Sequence, residues 1–141
     1  MWVAGLIAGK EPITISADST IQELVASLAS HRVGALVVSS DGRRIEGVVS
    51  ERDVVRAMPG QFTKLSELHV RDLMTVNVLV ATPESTIDEL MTIMTERRVR
   101  HIPIVDGDGM LISIVSIGDI VKSKIKALDE ERQSLIGYIS Q

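Results

Sequence analysis

The sequence predicts a mixed α/β fold of the α+β type, built from two copies of one small unit with the order β-α-β-β-α. Three observations predict it. The chain resembles itself at a fixed offset, each copy contains both helical and strand spacing of apolar residues, and the hydrophobic content is aliphatic. The 141 residues are 45% hydrophobic but only 2% aromatic, so the core must consist of Val, Ile, Leu and Met. An abundance of β-branched residues favours strands.

The internal repeat relates residues 12–56 to residues 78–122. Ser19-Thr20-Ile21 recurs 66 residues further on as Ser85-Thr86-Ile87. At this offset 11 of 45 positions are identical without a gap, and many others exchange one aliphatic residue for another. Two copies of one unit therefore describe the chain better than one larger fold does.

Each copy opens with a short extended stretch, residues 12–16 or 78–82, and continues with a helix. Thr20 with Glu23, and Thr86 with Glu89, have the spacing of capping boxes, in which hydroxyl and carboxylate each satisfy a free N–H. Apolar residues then recur at helical spacing and predict one buried face per helix. These residues are Ile21, Leu24, Val25 and Leu28 in the first copy, and Ile87, Leu90, Met91 and Met94 in the second.

Two strands and a second helix complete each copy. The strands are predicted at residues 35–39 and 45–50, and again at 102–105 and 111–116, with turns at Asp41-Gly42 and at residues 106–109 between them. A helix follows each second strand, and Pro59 ends the first of these helices. Residues 122–141 are also predicted to be helical, with Ile125, Leu128, Leu135 and Ile139 as apolar points.

The motif Ser-x-x-Asp stands at each transition from second strand to helix, as Ser50 to Asp53 and as Ser116 to Asp119. One interpretation is a second capping box. The other adds a ligand, because a carboxylate at a helix start can accept the hydroxyls of a ribose while the helix N-terminus attracts phosphate. The two interpretations are compatible, and recurrence does not separate them, since a duplicated cap would recur too.

Composition and charge exclude several classes of function. The formal net charge of −4 leaves no broad positive field for nucleic acid. There is no Cys, and the three His residues lack helix-spaced ligand partners, so no metal site is expected. The apolar run at the N-terminus is too short to span a bilayer. We expect a soluble, cytoplasmic protein.

The chain resembles a pair of CBS domains, the arrangement called a Bateman module. The resemblance covers about residues 9–126 and depends on an ordered set of motifs in two copies, at residues 48–55, 70–75, 100–105 and 114–121. It implies CBS repeats at residues 9–60 and 75–126, a linker at 61–74 and a helical tail at 127–141. The repeats are expected to pack through their sheets into a pseudo-two-fold module with two clefts.

The resemblance also implies a ligand and a set of contacts. Family members bind AMP, ADP or ATP, and sometimes NAD(H) or S-adenosylmethionine, between the repeats; AMP is the first expectation, and no cofactor is required. Asp53 and Asp119 inherit the ribose contact, Ser50 and Ser116 a sugar or phosphate contact, and Arg100 a phosphate contact. The first copy has Gly34 where the second has Arg100, so unequal clefts are expected. The full set of candidate contacts is Lys10, Thr14, Ser50, Arg52, Asp53, Thr75, Arg100, His101, Pro103, Ser116, Gly118 and Asp119.

The function predicted from these observations is a non-catalytic regulatory module that signals energy or redox state to an effector protein and forms a homodimer. The alternative is a dimerisation module without ligand, in which the Ser-x-x-Asp motifs are caps only. An enzyme is disfavoured because no nucleophile with a base, paired acid and base, or Walker loop is present. A nucleic-acid binder is disfavoured by the acidic balance.

Overall fold

Two small sheets, one in each half of the chain, carry the helices. The computed structural model describes residues 1–140. In the first half the elements are α1 (Val3–Ile7), β1 (Thr14–Ile15), α2 (Ile21–His31), β2 (Ala35–Val38), β3 (Gly47–Ser50) and α3 (Glu51–Ala57). A 3₁₀ helix (Phe62–Glu67) and α4 (Val70–Leu73) connect them to α5 (Ile87–Arg97), β4 (His101–Val105), β5 (Leu111–Ser116) and α6 (Ile117–Ile139).

The strand pairing repeats between the halves in the same register. β2 and β3 are antiparallel, with Ala35 opposite Ser50, and β4 and β5 are antiparallel with His101 opposite Ser116. β1 adds a parallel strand to the first sheet. The second copy departs from the prediction here, because residues 78–82 contribute one parallel bridge, from Ala81 to Ile104, and not a strand. The predicted α+β order is otherwise confirmed.

The helices begin and end with the signals that the sequence contains. The Thr86 hydroxyl accepts from the backbone N–H of Glu89 at 3.1 Å, and the Glu89 carboxylate accepts from the Thr86 N–H, which completes the predicted box. At Thr20 only half of the predicted box forms among the described residues: the hydroxyl accepts from the Glu23 N–H at 3.1 Å, but the Glu23 carboxylate does not accept from the Thr20 N–H. Arg32 and Arg98 end α2 and α5 with φ of 55° and 53°. This left-handed conformation closes a helix but is uncommon for a residue with a side chain.

Each half has its own aliphatic core, and each core includes a residue from a segment that precedes the other copy. Val3 of α1 is fully buried against the second copy, in a cluster with Leu90 and Ile102. Val70 of α4 is fully buried against the first copy, in a cluster with Leu24 and Val49. The segments before the two repeats are therefore exchanged, which ties the halves together. Of the positions predicted to be buried, Val25 and Met91 are exposed.

The last helix is longer than the repeat requires. α6 runs without interruption from Ile117 to Ile139, so the tail predicted from residue 127 begins inside a helix that starts at the Ser-x-x-Asp motif. Residue 141, the end of that predicted tail, lies outside the described residues. Within residues 1–140 no helix has the length and apolar character needed to cross a membrane.

Candidate ligand cleft

Both Ser-x-x-Asp motifs form complete capping boxes. The Ser50 hydroxyl accepts from the Asp53 N–H at 3.3 Å, and Asp53 Oδ2 accepts from the Ser50 N–H at 2.8 Å and from the Ser50 hydroxyl at 3.0 Å. Ser116 and Asp119 repeat these contacts at 3.2, 2.8 and 3.0 Å. The capping interpretation is confirmed for both motifs. Among the described residues, nothing donates a hydrogen bond to Asp53 Oδ1, so the cap leaves one carboxylate oxygen free for another partner.

Asp53 lies in a cleft of about 260 Å³ between the two halves of the chain. The start of α3 forms one wall, the connection before the second copy forms another, and the end of α5 with the start of β4 forms the third. The lining residues are Gly34, Ala35, Val48, Ser50, Glu51, Arg52, Asp53 and Arg56 from the first copy, Thr75, Asn77, Val78 and Leu79 from the connection, and Arg98, Val99, Arg100 and His101 from the second copy.

The cleft concentrates positive charge in an acidic protein. Its lining includes four guanidinium groups, with Arg52 and Arg56 from α3 facing the same cavity as Arg98 and Arg100 from the other half. Guanidinium groups stay charged at all physiological pH and form paired hydrogen bonds with phosphate oxygens. Arginines from both halves thus converge on one cavity, where a bound anion would contact both.

Thr75 lies at the edge of the cleft because Gly47 has no side chain that would collide with the Thr75 backbone. The backbones of Val48 and Thr75 exchange two hydrogen bonds, of 3.0 and 2.9 Å, which add Thr75 to the edge of β3. A Cβ at Gly47 would lie 2.7 Å from the Thr75 carbonyl oxygen, closer than real contacts allow. The second copy has Ser113 at the position of Gly47, and the buried Ser113 hydroxyl donates to the Lys10 carbonyl at 3.2 Å.

The second Ser-x-x-Asp motif is occupied by a residue of the chain itself. Lys10 Nζ donates to Asp119 Oδ2 at 2.6 Å; the Lys10 side chain is 39% exposed and the Asp119 side chain 28%. Burial alone would raise the pKa of Asp119, but the Lys10 contact and the Ser116 donors outweigh it, so the pKa lies below its usual value. The Asp119 carboxylate is therefore ionised and already paired with Lys10, whereas Asp53 forms no ion pair among residues 1–140.

His101 lies between the two motifs. A Cβ at Gly34 would lie 3.3 Å from His101 Cε1 and 3.4 Å from Glu51 Oε1, so the glycine makes space for the imidazole ring. Burial lowers the pKa of His101, and the nearby carboxylates of Glu51 and Asp119 offset that effect only in part. The ring is therefore neutral at pH 7.

The structure brings six of the twelve predicted contacts into the first cleft: Ser50, Arg52, Asp53, Thr75, Arg100 and His101. Lys10, Ser116 and Asp119 meet at the second motif, beside Gly118 in the first turn of α6. Thr14 pairs with Val37 inside the first sheet, and Pro103 is buried in β4, so neither lines the cleft.

Ten of the sixteen lining residues are not among the predicted contacts: Gly34, Ala35, Val48, Glu51, Arg56, Asn77, Val78, Leu79, Arg98 and Val99. Arg56 had a detectable signal, because it lies four residues after Arg52 and hence on the same helix face. Asn77 and Leu79 come from the connection, whose path the repeat pattern does not determine. In the part of the chain that the structure describes, no group of three or more His, Asp or Glu side chains is arranged to hold a metal ion.

Comparison with known proteins identifies relatives over nearly the whole chain. The profile of the CBS domain matches twice, at residues 4–60 and 70–126. The CBS domain-containing protein CBSX3, mitochondrial, of Arabidopsis thaliana is 38% identical over 126 residues, which are 86% of this chain and 61% of that protein. The chain thus spans less than two thirds of the length of this relative.

Solved structures agree with the fold. A CBS-domain-containing protein of Agrobacterium tumefaciens has 37% identity and a TM-score of 0.83, over 88% of this chain and 99% of that one. A CBS domain protein of Pyrobaculum aerophilum, solved in complex with AMP, has 26% identity and a TM-score of 0.76, over 84% of this chain and 89% of that one. The tandem, pseudo-symmetric arrangement predicted for the two copies is confirmed.

Proposed function

Because this chain belongs to the CBS domain family, with one copy of the domain in each half, we propose that it is a regulatory, non-catalytic module that binds an adenosine nucleotide in the cleft around Asp53. One observation carries the proposal. A carboxylate with a free oxygen, four arginines and an apolar wall surround one cavity between the halves. These are the groups that a ribose, a phosphate chain and a base require.

Each part of the ligand has a partner in this arrangement. Asp53 Oδ1 would accept the ribose hydroxyls, because Oδ2 is engaged in the cap. The arginines would bind phosphate, with Arg52 and Arg56 on one side and Arg98 and Arg100 on the other. The base would cover Leu79, which is 41% exposed. Among residues 1–140 no Trp, Tyr or Phe lines the cleft, so the base would be held between aliphatic side chains.

AMP is the ligand to test first. The relative from Pyrobaculum aerophilum was solved with AMP. Four guanidinium groups also suit the longer phosphate chains of ADP and ATP, and NAD(H) presents the same adenosine with a diphosphate. A micromolar dissociation constant corresponds to about −8 kcal/mol, which a ribose contact, phosphate pairs and a buried base can reach together.

The position of the cleft supports a signalling role. Its walls come from both copies, so a bound nucleotide would contact Asp53 of one half and Arg100 of the other, and would favour arrangements of the halves that keep both contacts. An effector protein that prefers one arrangement would respond to the nucleotide. A second copy of the chain would pack on the exposed helix faces of the halves, where Val25, Val55, Met91 and Val121 are 37 to 61% exposed.

The proposal is tested by calorimetric titration of nucleotide-free protein with AMP, using GMP as the control ligand. We expect one AMP per chain, because Asp119 is paired with Lys10. Asp53→Asn should weaken AMP binding by about tenfold or more, since it removes one ionised hydrogen-bond acceptor. Asp119→Asn is the matched control, because it makes the same change in the same type of cap, and it should leave the affinity within about twofold.

A second pair of variants tests the phosphate contact. Arg100→Ala should weaken AMP binding, whereas Arg97→Ala, an exposed arginine in the last turn of α5 outside the cleft, should not. Equal losses for Asp53→Asn and Asp119→Asn would place the ligand elsewhere. Absence of binding by every adenosine ligand tested would favour a ligand-free dimerisation module, in which both motifs act as caps only.

A further inference from the structure

An uncovered apolar stripe runs along α6, beyond the body of the protein. Its members are Val121, Ile125, Leu128, Leu135 and Ile139, which are 49, 62, 64, 58 and 80% exposed. All described residues after Ala127 are exposed, so the last three turns of the helix project from the two halves. A surface helix of a soluble protein normally buries its apolar stripe against the core, so this exposed stripe indicates an interaction surface.

The spacing of the stripe is that of a coiled coil. With Arg132 included, the members of the stripe are separated alternately by four and three residues. Val121, Leu128 and Leu135 then hold heptad position d, and Ile125, Arg132 and Ile139 hold position a. We name these six residues the α6 seam. Regular heptads pack against another helix with the same pattern and not against a flat surface.

We infer that the α6 seam pairs with the seam of a second copy of this chain, as a parallel two-stranded coiled coil. Charge supports this occupant and this direction. In a parallel pair, the residue at g faces the residue at e five positions later on the partner. Here Lys124 stands at g and Asp129 at e, so two opposite-charge pairs form across the seam. Lys124 also pairs with Asp88 of its own chain at 2.6 Å, and an ammonium group has donors for both.

The antiparallel pairing is disfavoured by the same charges. It would place e opposite e and g opposite g, so that Asp129 faces Asp129 and Glu131 faces Glu131 at the centre. Like charges directly opposed destabilise a helix pair. In the parallel pair, Arg132 at position a lies beside Glu131 of the other helix. A single polar residue at an a position selects register and strand number at some loss of stability.

The coiled coil determines how the two copies face each other. Parallel helices bring the second half of one copy beside the second half of the other. This result does not require nucleotide binding and holds whether or not the cleft takes a ligand. It predicts an orientation, second half to second half, in addition to the homodimer proposed above.

The first experiment compares Asp129→Lys with Glu130→Lys by sedimentation equilibrium of the full chain. Both variants change the charge equally and lie side by side, but position 129 flanks the seam and position 130 is on the opposite face of α6. We expect Asp129→Lys to raise the dimer dissociation constant several-fold because the new lysine faces Lys124 of the partner. Glu130→Lys should leave it unchanged. Equal effects of the two variants, or a native chain that is monomeric, would overturn the proposal.

The second experiment tests the direction by disulfide formation. The chain contains no Cys, so one introduced thiol can cross-link only to its copy. Leu135→Cys should give a cross-linked dimer under mild oxidation, because a parallel coil places residue 135 opposite itself. Ser134→Cys points away from the seam and should give none. An antiparallel coil would place residue 135 opposite residue 125, about 15 Å from its copy along the axis, and Leu135→Cys would then not cross-link.

Discussion

Lys10 Nζ lies 2.6 Å from Asp119 Oδ2, whereas Asp53, at the equivalent position of the first copy, forms no ion pair with any residue between 1 and 140. The two motifs have the same cap geometry and differ in this contact. Lys10 reaches Asp119 because the Ser113 hydroxyl holds the Lys10 backbone at the second sheet. The two copies therefore differ at their ligand motifs for a second reason, besides having Gly34 in the first copy where the second has Arg100.

The first prediction concerns the charge of Asp119. Burial opposes ionisation of this carboxyl group, and the Lys10 contact is the largest effect that lowers its pKa. Lys10→Met should therefore raise the pKa of Asp119, as measured by carboxyl NMR titration. In the native protein the lowered pKa contributes stability above the unfolded value, about 3.9, which is lost as the pH falls through the folded value. Lys126→Met, on the same protein but away from Asp119, is the control and should not move the Asp119 titration.

The contact between Lys10 and Asp119 also shows what local sequence cannot determine. The two antiparallel strand pairs, and all four helix starts with Ser or Thr, follow from spacing and could be predicted. The register of the strand pairs was not predicted. The sequence predicts Lys10 only as a candidate ligand contact and not as a partner of Asp119, since 109 residues separate the two. Which copy a segment packs against depends on the path of the chain between the two halves. A local sequence pattern does not determine that path.

A second prediction concerns the glycine that makes room for the cleft edge. Gly47→Ala places a methyl group 2.7 Å from the Thr75 carbonyl oxygen, so the two hydrogen bonds between Val48 and Thr75 must lengthen or break. We expect a loss of about 1–3 kcal/mol in the free energy of unfolding, measured by urea denaturation. Gly137→Ala is the matched control, because no atom of the described residues lies within 4 Å of a Cβ built at this position in α6. It should stabilise by up to about 1 kcal/mol. A neutral Gly47→Ala would show that Thr75 is not fixed at this edge.

A third prediction follows from the exchanged segments. Val3 precedes the first copy but is fully buried in the core of the second. Val3→Ala should cost about 1–3 kcal/mol and should accelerate hydrogen exchange in α5, β4 and β5 before α2. Val70→Ala should have the opposite regional effect, with α2 and β3 exchanging first. Val76→Ala, at a position 66% exposed, is the control. Faster exchange in α2 on Val3→Ala would contradict the exchange of segments.

The exchange of the two segments cannot be predicted from the sequence, for a physical reason. The sequence places residues 1–8 outside the repeats because they precede the first extended stretch, although α1 holds the same place before the first copy as α4 holds before the second. Val3 is fully buried in the second core and Leu6 and Ile7 pack against that core, but three apolar residues in a five-residue helix form no distinguishing pattern. The backbone bonds from Val3 to Ser85 and from Ala4 to Pro83 are equally long-range.

The final prediction concerns pH and His101. Burial holds its pKa below the usual 6.5, and the charges that face it are the carboxylates of Glu51 and Asp119 and the cations of Lys10 and Arg100. Between its folded pKa and the unfolded value, the unfolded chain binds more protons, so the free energy of unfolding rises with pH across that window. The contribution is present above pH 6.5 and is lost as the pH falls through the folded pKa. His101→Gln should flatten this dependence in denaturation curves between pH 5 and 7, whereas His31→Gln, on the exposed side of α2, should not. A His101 resonance that titrates above 6.5 by NMR would show that the carboxylates, and not burial, determine the charge of this ring.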